Sequence, residues 1–398
     1  MRKLFLFGFL GWFVVLVSCH HDQEEPLQHG TYINNTNVGR YDTVFIRELI
    51  NRVGDIGPVS LRYNVSAVRI YYLSDTPEGV AVTVSGLLVL PQAEGTYPLM
   101  SIQHGTIIKR SDVSSRDPLK NEGVVGLIAA SEGYITCIPD YLGLGVSEEM
   151  HPYLVGDVLA GNVTDMILAV RVYLKLNGFA DNGELFLAGY SEGGYVTMAA
   201  HRALETGTAP EGLHVAASAP MAGPYDLKTT IDTILSYGTY KSPAFIAYFL
   251  TAYNEVYGWH RLHEIFREPY ASMIPDLFDG KHSTEEINDI LPEEIDSLLN
   301  PEFLDGYFHG NDPELTAALE KNTLLGWGPE APVRMYHGDQ DHTVPYWNSV
   351  RALEDLRQHG GRHVEMVTVA GGDHGSSVVP SFTGALHWFD SLRVGGSR

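Results

Sequence analysis

Short apolar runs recur along the chain and alternate with stretches whose apolar residues have helical spacing. Continuous apolar runs bounded by Gly, Pro or Asp are typical of buried parallel strands. Residues 68–74 and 81–90 come first and are predicted to form an antiparallel hairpin. The later predicted strands are Pro98–Gln103, Ile135–Pro139, Leu185–Ala188, Val215–Pro220, Val333–His337 and Val364–Val369. Helices are predicted over residues 153–176, 193–204, 346–358 and 380–392, so the pattern predicts an α/β fold with a mostly parallel central sheet flanked by helices.

The alternation stops between residues 226 and 328, where we find helical, aromatic-rich segments and no strand-like run. A stretch of this length is too long for a connection between two strands, so we predict an inserted all-helical subdomain. Its aromatic residues are expected either to form a small core of their own or to line an apolar pocket as a cap over a site. The core of the fold is then expected to comprise residues 41–225 and 329–398.

The first residues have the pattern of a processing signal. Arg2 and Lys3 precede an apolar run, Leu4 to Val17, which is too short to favour a helix that spans a membrane. The run closes on Leu16-Val17-Ser18-Cys19, which resembles the lipobox of bacterial lipoproteins, where the cysteine becomes the lipidated N-terminus. We therefore predict a signal peptide over 1–18, lipidation at Cys19 and a flexible tether over 19–40; the alternative is an ordinary signal peptide with an incidental cysteine.

The protein is accordingly expected to be exported and lipid-anchored in the bacterial cell envelope, at the outer membrane. Acidic residues follow Cys19, and in some Gram-negative bacteria such residues accompany export to the cell surface. The net charge of −23, from 49 acidic and 26 basic residues, disfavours nucleic acid and anionic membrane surfaces as partners. The membrane is expected to be a partner only through the N-terminal lipid. Cys137 lies in a predicted buried strand and is expected to be inert.

The segment Gly189-Tyr190-Ser191-Glu192-Gly193 lies between a predicted strand and a predicted helix. Strand, G-x-S-x-G and helix in this order are the pattern of a nucleophile elbow, in which a serine is held on a strained turn. Gly189 and Gly193 are expected where a Cβ would clash with neighbouring backbone. The turn also directs backbone N–H groups of the helix start at whatever Ser191 attacks, and the N-terminus of the helix favours a developing oxyanion there.

A serine nucleophile needs a general base and an acid that orients that base, and in α/β-hydrolases they follow in the order Ser, acid, His. The acid is sought after Val333–His337, where Asp339 and Asp341 both lie in the loop. We predict Asp341, with Asp339 as the second candidate or as a cap of the turn. The cluster His337, Asp339, Asp341 and His342 left a metal site open, but no metal-binding spacing supports it, so we expect neither metal nor cofactor.

His374 follows Val364–Val369 in a loop bounded by glycines and is predicted to be the base. The oxyanion hole needs two donors. One is expected from the backbone N–H of Glu192, which follows the nucleophile. The other is expected from the loop after Pro98–Gln103, where we favour the Thr106 N–H, with Gly105 beside it allowing the backbone to approach the substrate.

Several motifs together resemble the secretory lipase family (lipase A type) of α/β-hydrolases. They are Gly189–Gly194, Asp140–Gly145, Ala219–Asp226 and the H-G-x-x-D-x-x-V-P run that ends at Pro345, in consistent order over roughly residues 60–392. The resemblance implies an esterase or lipase with an inserted helical cap, with Ser191, Asp341 and His374 at the matching triad positions. Fungal members carry disulfides that this chain cannot make, and the cap aligns least, so a preference for long acyl chains does not carry over.

The predicted function is cleavage of carboxylic esters through an acyl-enzyme, with a small-molecule, lipid or glycan ester as substrate. A serine peptidase of the same fold, acting on short peptides, is one alternative. A surface binding protein that kept the scaffold without catalysis is another. The sequence does not distinguish oligomeric states, and it does not identify the physiological ester.

Overall fold

The computed structural model describes residues 28–53, 57, 59–207 and 210–393. Within these ranges nine strands form one sheet in the order β1-β2-β3-β5-β4-β6-β7-β8-β9. The strands are β1 Tyr32–Tyr41, β2 Val65–Asp75, β3 Ala81–Pro91, β4 Thr96–Gln103, β5 Ile135–Pro139, β6 Ala180–Tyr190, β7 His214–Met221, β8 Val333–Gly338 and β9 Val364–Val369. The first three are antiparallel, β3 pairs antiparallel with β5, and every later pairing is parallel. The predicted opening hairpin and parallel strands are confirmed.

Helices cover both faces of the sheet. They are α1 Thr43–Val53, α2 Gly123–Glu132, α3 Gly156–Leu176, α4 Glu192–Thr206, α13 Tyr346–Gln358 and α14 Val378–Leu392. The central strands are apolar without alternation because both of their faces are buried. In β6, for example, Leu185 and Leu187 pack with α3 and α4, whereas Phe186 and Ala188 pack with α2 and α14. The predicted α/β fold is therefore confirmed.

The segment between β7 and β8 is the predicted all-helical insertion, and we call residues 226–328 the cap. Its helices are α5 Leu227–Ser236, α6 Pro243–Val256, α7 Leu262–Ile265, α8 Tyr270–Leu277, α9 Thr284–Asn288, α10 Ile295–Leu298, α11 Pro301–Phe308 and α12 Pro313–Lys321. Two isolated bridges, Thr239 with Glu294 and Phe266 with Leu299, are its β-type pairings. Buried rings such as Tyr253 and Phe266 show that part of its aromatic content forms a core continuous with that of the sheet.

The prediction of a flexible tether over residues 19–40 is wrong for its second half. Tyr32–Tyr41 is strand β1, which pairs with β2 from Tyr32 to Tyr41, so the folded core begins before residue 41. The strand is polar and largely exposed because it lies at the sheet edge, and its hydrogen bonds to β2 hold it in place. Signal peptide, Cys19 and tether residues up to 27 lie outside the described residues.

Two further observations concern Cys137 and membrane association. Cys137 is fully buried in β5, and burial raises the pKa of its thiol to about 12, which keeps it protonated and unreactive. Within the described ranges, no helix combines the length and apolar character needed to cross a membrane.

Candidate active site

Ser191 sits between β6 and α4 in a strained backbone conformation, with φ 60° and ψ −122°. Its own N–H donates to the Met221 carbonyl of the neighbouring strand at 2.9 Å, which helps to hold the turn. A Cβ at Gly193 would overlap the Gln103 carbonyl oxygen, and one at Gly189 would lie 2.6 Å from the same oxygen. The two glycines are therefore required because β4 passes directly against the turn, as the elbow pattern predicts.

Three loops at one edge of the sheet bring the predicted triad residues together. His374 follows β9, and its Nε2 lies 2.9 Å from the Ser191 hydroxyl oxygen. Its Nδ1 lies 2.6 Å from Oδ2 of Asp341, which follows β8. Because an ionised carboxylate only accepts, Nδ1–H donates to Asp341 and the Nε2 lone pair accepts the Ser191 proton. The carboxyl ends of parallel strands meet at this edge, so residues 183 positions apart become neighbours.

Asp341 is fixed by more partners than the triad alone supplies. Its Oδ1 accepts the backbone N–H groups of Thr343 at 2.9 Å and Val344 at 3.0 Å, and its Oδ2 also accepts from His337 Nε2 at 3.1 Å. Burial raises the pKa of Asp341, but the hydrogen bonds and charges of His337 and His374 outweigh burial and hold the pKa well below its usual range. The carboxylate therefore stays ionised and points at the imidazole. The sequence did not indicate this role for His337.

The second acidic candidate, Asp339, lies in the same loop, but among the described residues it forms no hydrogen bond or ion pair with His374. Its carboxylate accepts the Gly371 N–H at 2.8 Å, so it ties the loop after β8 to the loop that carries His374. The contact joins two separate loops, which differs from the cap of its own turn that we considered for it. His342, the fourth member of the possible metal cluster, is exposed. No group of three or more His, Cys, Asp or Glu within the described ranges is arranged to hold a metal ion.

The loop after β4 lies beside Ser191 and carries the second expected oxyanion donor. Among the described residues, nothing accepts a hydrogen bond from the Thr106 N–H, which is free to bind a substrate oxygen. The Glu192 N–H opens α4 and has no partner inside the helix. The Gly105 N–H, in contrast, donates to Glu122 Oε1 at 2.9 Å, so Gly105 is not itself a donor to the substrate and its expected role is the close approach of the backbone. A Cβ there would lie 3.9 Å from the Ser191 Cβ, in the approach to the nucleophile.

The Glu192 side chain is used inside the protein, which the sequence did not predict. Its Oε1 lies 2.7 Å from His151 Nε2, and both side chains are buried. His151 Nδ1–H donates to the Leu142 carbonyl at 2.8 Å, so the contact with Glu192 requires one more proton, shared within the pair. The His151 ring also lies 5.8 Å from the ring of Tyr248 in the cap helix α6. The pair thus connects the elbow to the cap.

Two cavities meet at Ser191 and share Phe245 of the cap. The open cavity, about 390 Å³, also contacts His374, Thr106 and Glu122. The cap cavity, about 40 Å³, lies under the cap and is lined mostly by apolar side chains such as Ile234 and Phe249. The cap therefore contributes pocket walls as well as its own core.

Comparison with known proteins finds hydrolases with the same fold. The prolyl oligopeptidase family matches residues 125–207 and 285–391. A candidate hydrolase from Legionella pneumophila is 27% identical, with a TM-score of 0.86 over 92% of this chain and 99% of that one. The protein is an α/β-hydrolase. The rice cell wall degrading esterase LipA from Xanthomonas oryzae is also 27% identical, with a TM-score of 0.81 over 92% of this chain and 100% of that one.

Candida antarctica lipase A in its closed state shares the fold of this hydrolase at 14% identity, with a TM-score of 0.67 over 90% of this chain and 83% of that one. A comparison with curated proteins finds no significant match. The hydrolase has structural relatives among esterases, and its family match is named for peptidases. The comparisons are therefore consistent with cleavage of either an ester bond or an amide bond.

Proposed function

We propose that this hydrolase is a serine esterase of the lipase A type, which cleaves carboxylic esters through a covalent acyl-enzyme. The observation that carries the proposal is the continuous chain of hydrogen bonds from Ser191 through His374 to Asp341. Ser191 attacks the ester carbonyl while His374 Nε2 takes its proton, and the imidazolium is stabilised by Asp341. The N–H groups of Glu192 and Thr106 hold the tetrahedral oxygen.

The second half of the reaction follows from the position of His374 on the open cavity. The leaving alcohol must receive the proton from His374 Nε2, so the alcohol occupies the open cavity. Water then enters from the same side, loses a proton to His374 and releases the acid from Ser191. The acyl group occupies the cap cavity, whose apolar walls and small volume favour a short chain.

The match to the prolyl oligopeptidase family supports a second candidate, cleavage of peptide bonds by the same triad. The protein resembles the Xanthomonas oryzae esterase in sequence and in structure over the whole length of that esterase, which favours cleavage of an ester bond. The name of that relative, a cell wall degrading enzyme, makes plant cell wall esters one group to include in a substrate panel.

The proposal is tested with a fluorophosphonate probe and two substrate series. The probe is expected to label the protein and to fail with Ser191→Ala, while a Ser→Ala change at exposed Ser236 leaves labelling intact. p-Nitrophenyl esters from acetate to decanoate are compared with aminoacyl-nitroanilides. We expect hydrolysis of the short esters. Hydrolysis of the anilides alone would show that the protein is a peptidase and not an esterase. Labelling of the Ser191→Ala variant would show that Ser191 is not the nucleophile.

We also propose that the protein is exported and anchored to the cell envelope through a lipid on Cys19. The support is the sequence pattern that ends in Leu16-Val17-Ser18-Cys19. Cells fed a radiolabelled fatty acid are expected to label the wild type and not Cys19→Ser. Equal labelling of both proteins would contradict the anchor.

A further inference from the structure

Glu122 is an acidic residue of the open cavity that the proposed reaction does not use. It stands immediately before α2, and its carboxylate lies with Ser191 and His374 on the cavity wall. The position that a Cβ of Gly105 would occupy is 3.7 Å from Glu122 Oε1 and 3.9 Å from the Ser191 Cβ. Carboxylate and nucleophile therefore border the same small space, within reach of one substrate.

The partners of this carboxylate leave acceptor capacity unused. Oε1 accepts the Gly105 N–H, whereas no Lys, Arg or His nitrogen of the described residues forms an ion pair with it. An ionised carboxylate has about four acceptor positions, and the backbone N–H groups of Gly105 and of Glu122 itself take no more than two of them, so acceptor positions are left for a ligand in the cavity. Such a group in a partly buried site is costly unless something that enters the site donates to it.

The charges of the site favour a neutral donor, because His374 lines the same cavity and becomes an imidazolium when it takes the Ser191 proton, so that it would repel a second cation. Burial raises the pKa of Glu122, and the His104 ring and the Gly105 N–H oppose this only in part, so a group that enters the cavity and donates to the carboxylate stabilises its ionised form. Other polar groups of the open cavity, Thr106 and Asn121, are uncharged. A hydroxyl suits this set because it both donates to a carboxylate and accepts from neutral groups.

We propose that Glu122 is a specificity-determining residue, which accepts a hydrogen bond from a hydroxyl group on the alcohol half of the ester. This inference rests on the proposed esterase function and assigns its substrate class: short-chain acyl esters of hydroxylated alcohols, such as partly acylated polyols. The leaving oxygen receives its proton from His374, and a second hydroxyl of the same alcohol binds Glu122.

The test uses three acetates that differ in the alcohol: glyceryl acetate, propyl acetate and protonated 2-(dimethylamino)ethyl acetate. The measured quantity is kcat/KM for each, and the wild type is expected to prefer glyceryl over propyl acetate. Glu122→Leu is expected to lower that preference by about tenfold or more, mainly through KM. Glu122→Gln, whose amide oxygen still accepts, is expected to lower it by about threefold. Glu94→Gln, the same change at an exposed glutamate, serves as control.

Each result bears on the proposal in one way. An unchanged glyceryl-to-propyl ratio in Glu122→Leu overturns it, and so does an equal loss on both esters, which would mean that Glu122 only positions the Gly105 loop. If Glu122→Gln lowers kcat/KM more for the aminoalkyl ester than for glyceryl acetate, Glu122 recognises an ammonium group and the proposed hydroxyl recognition is wrong. Should Glu122→Leu fail to fold, the ratio in Glu122→Gln decides. The wild type could also react with the fluorophosphonate and cleave none of the acetates. That result would contradict the proposed esterase function itself, and this inference, which depends on it, would be wrong as well.

Discussion

The carboxyl edge of the sheet and the cap both border Ser191, but they are built from different interactions. At the sheet edge, hydrogen bonds hold the triad side chains, with four of them on Asp341, and Gly189 and Gly193 leave no room for a side chain. The cap meets the site through rings and aliphatic side chains such as Phe245 and Ile234. Apolar contacts are not directional, so changes in the cap are tolerated better than changes at the sheet edge. We therefore expect the sheet edge to carry the chemistry and the cap to select the acyl chain, while Glu122, outside the cap, is proposed to bind the alcohol half of the ester.

The largest expected effect comes from the acidic pair at the sheet edge. Asp341→Asn is expected to lower kcat by about 10⁴-fold because the amide can no longer orient and stabilise the charged His374 ring. Asp339→Asn is the matched control, since it lies two residues away and only ties two loops together, and we expect less than about a tenfold loss. Steady-state kinetics with p-nitrophenyl acetate measures both, and the reverse ranking would show that Asp339 is the triad acid.

The next prediction concerns the backbone packing of the same edge. Gly193→Ala places a methyl group on the Gln103 carbonyl oxygen, which is backbone at the end of β4 and can give way only if the strand shifts, so we expect a loss of more than about 4 kcal/mol in the free energy of unfolding. Gly161→Ala in α3 meets no atom within 4 Å and is expected to stabilise by about 0.5–1 kcal/mol. Urea denaturation compares the two. A Gly193 variant as stable as the wild type would mean that β4 is not packed against the elbow.

The contact between the two regions is expected to give an intermediate effect. Glu192→Leu leaves the buried His151 Nε2 without its partner and should cost about 1–3 kcal/mol of unfolding free energy. Glu192→Gln should cost less, because its amide donates to the neutral His151 ring. Denaturation curves that give both variants the same stability would argue against a proton shared by this pair.

The smallest effect is expected in the cap. Phe245→Ala enlarges both cavities, so we expect the preferred p-nitrophenyl ester to become longer, with less than about a tenfold change in kcat/KM for the acetate. Phe308→Ala, which removes an aromatic ring that is 50% exposed on α11, should leave the chain-length profile unchanged. If the Phe245 variant instead lost activity on every ester alike, the cap would take part in the chemistry and the division between the two regions would fail.

Much of the sheet side was predictable because its signals are local. The run from Glu184 to Gly193 combines a strand, a strained turn and a helix start within ten residues, and each residue type follows from backbone geometry. Apolar runs predicted the parallel strands for the same reason. Strand β1 was missed because its residues are mostly polar and it forms only by pairing with β2. The helices α1 and α2 were not predicted either.

The order of Ser191, Asp341 and His374 along the sequence was enough to predict the fold type and the expected reaction, because each of the three follows a recognisable strand. Which atoms meet was decided by the folded molecule alone. The Gly105 N–H is taken by Glu122, the Glu192 carboxylate by His151, and Asp341 receives a further donor from His337. These partners come from different strands and loops, and no short-range spacing records them. Hydrophobic periodicity reports which face of an element is buried, whereas the match of a buried acceptor to its donor exists only once distant segments pack together.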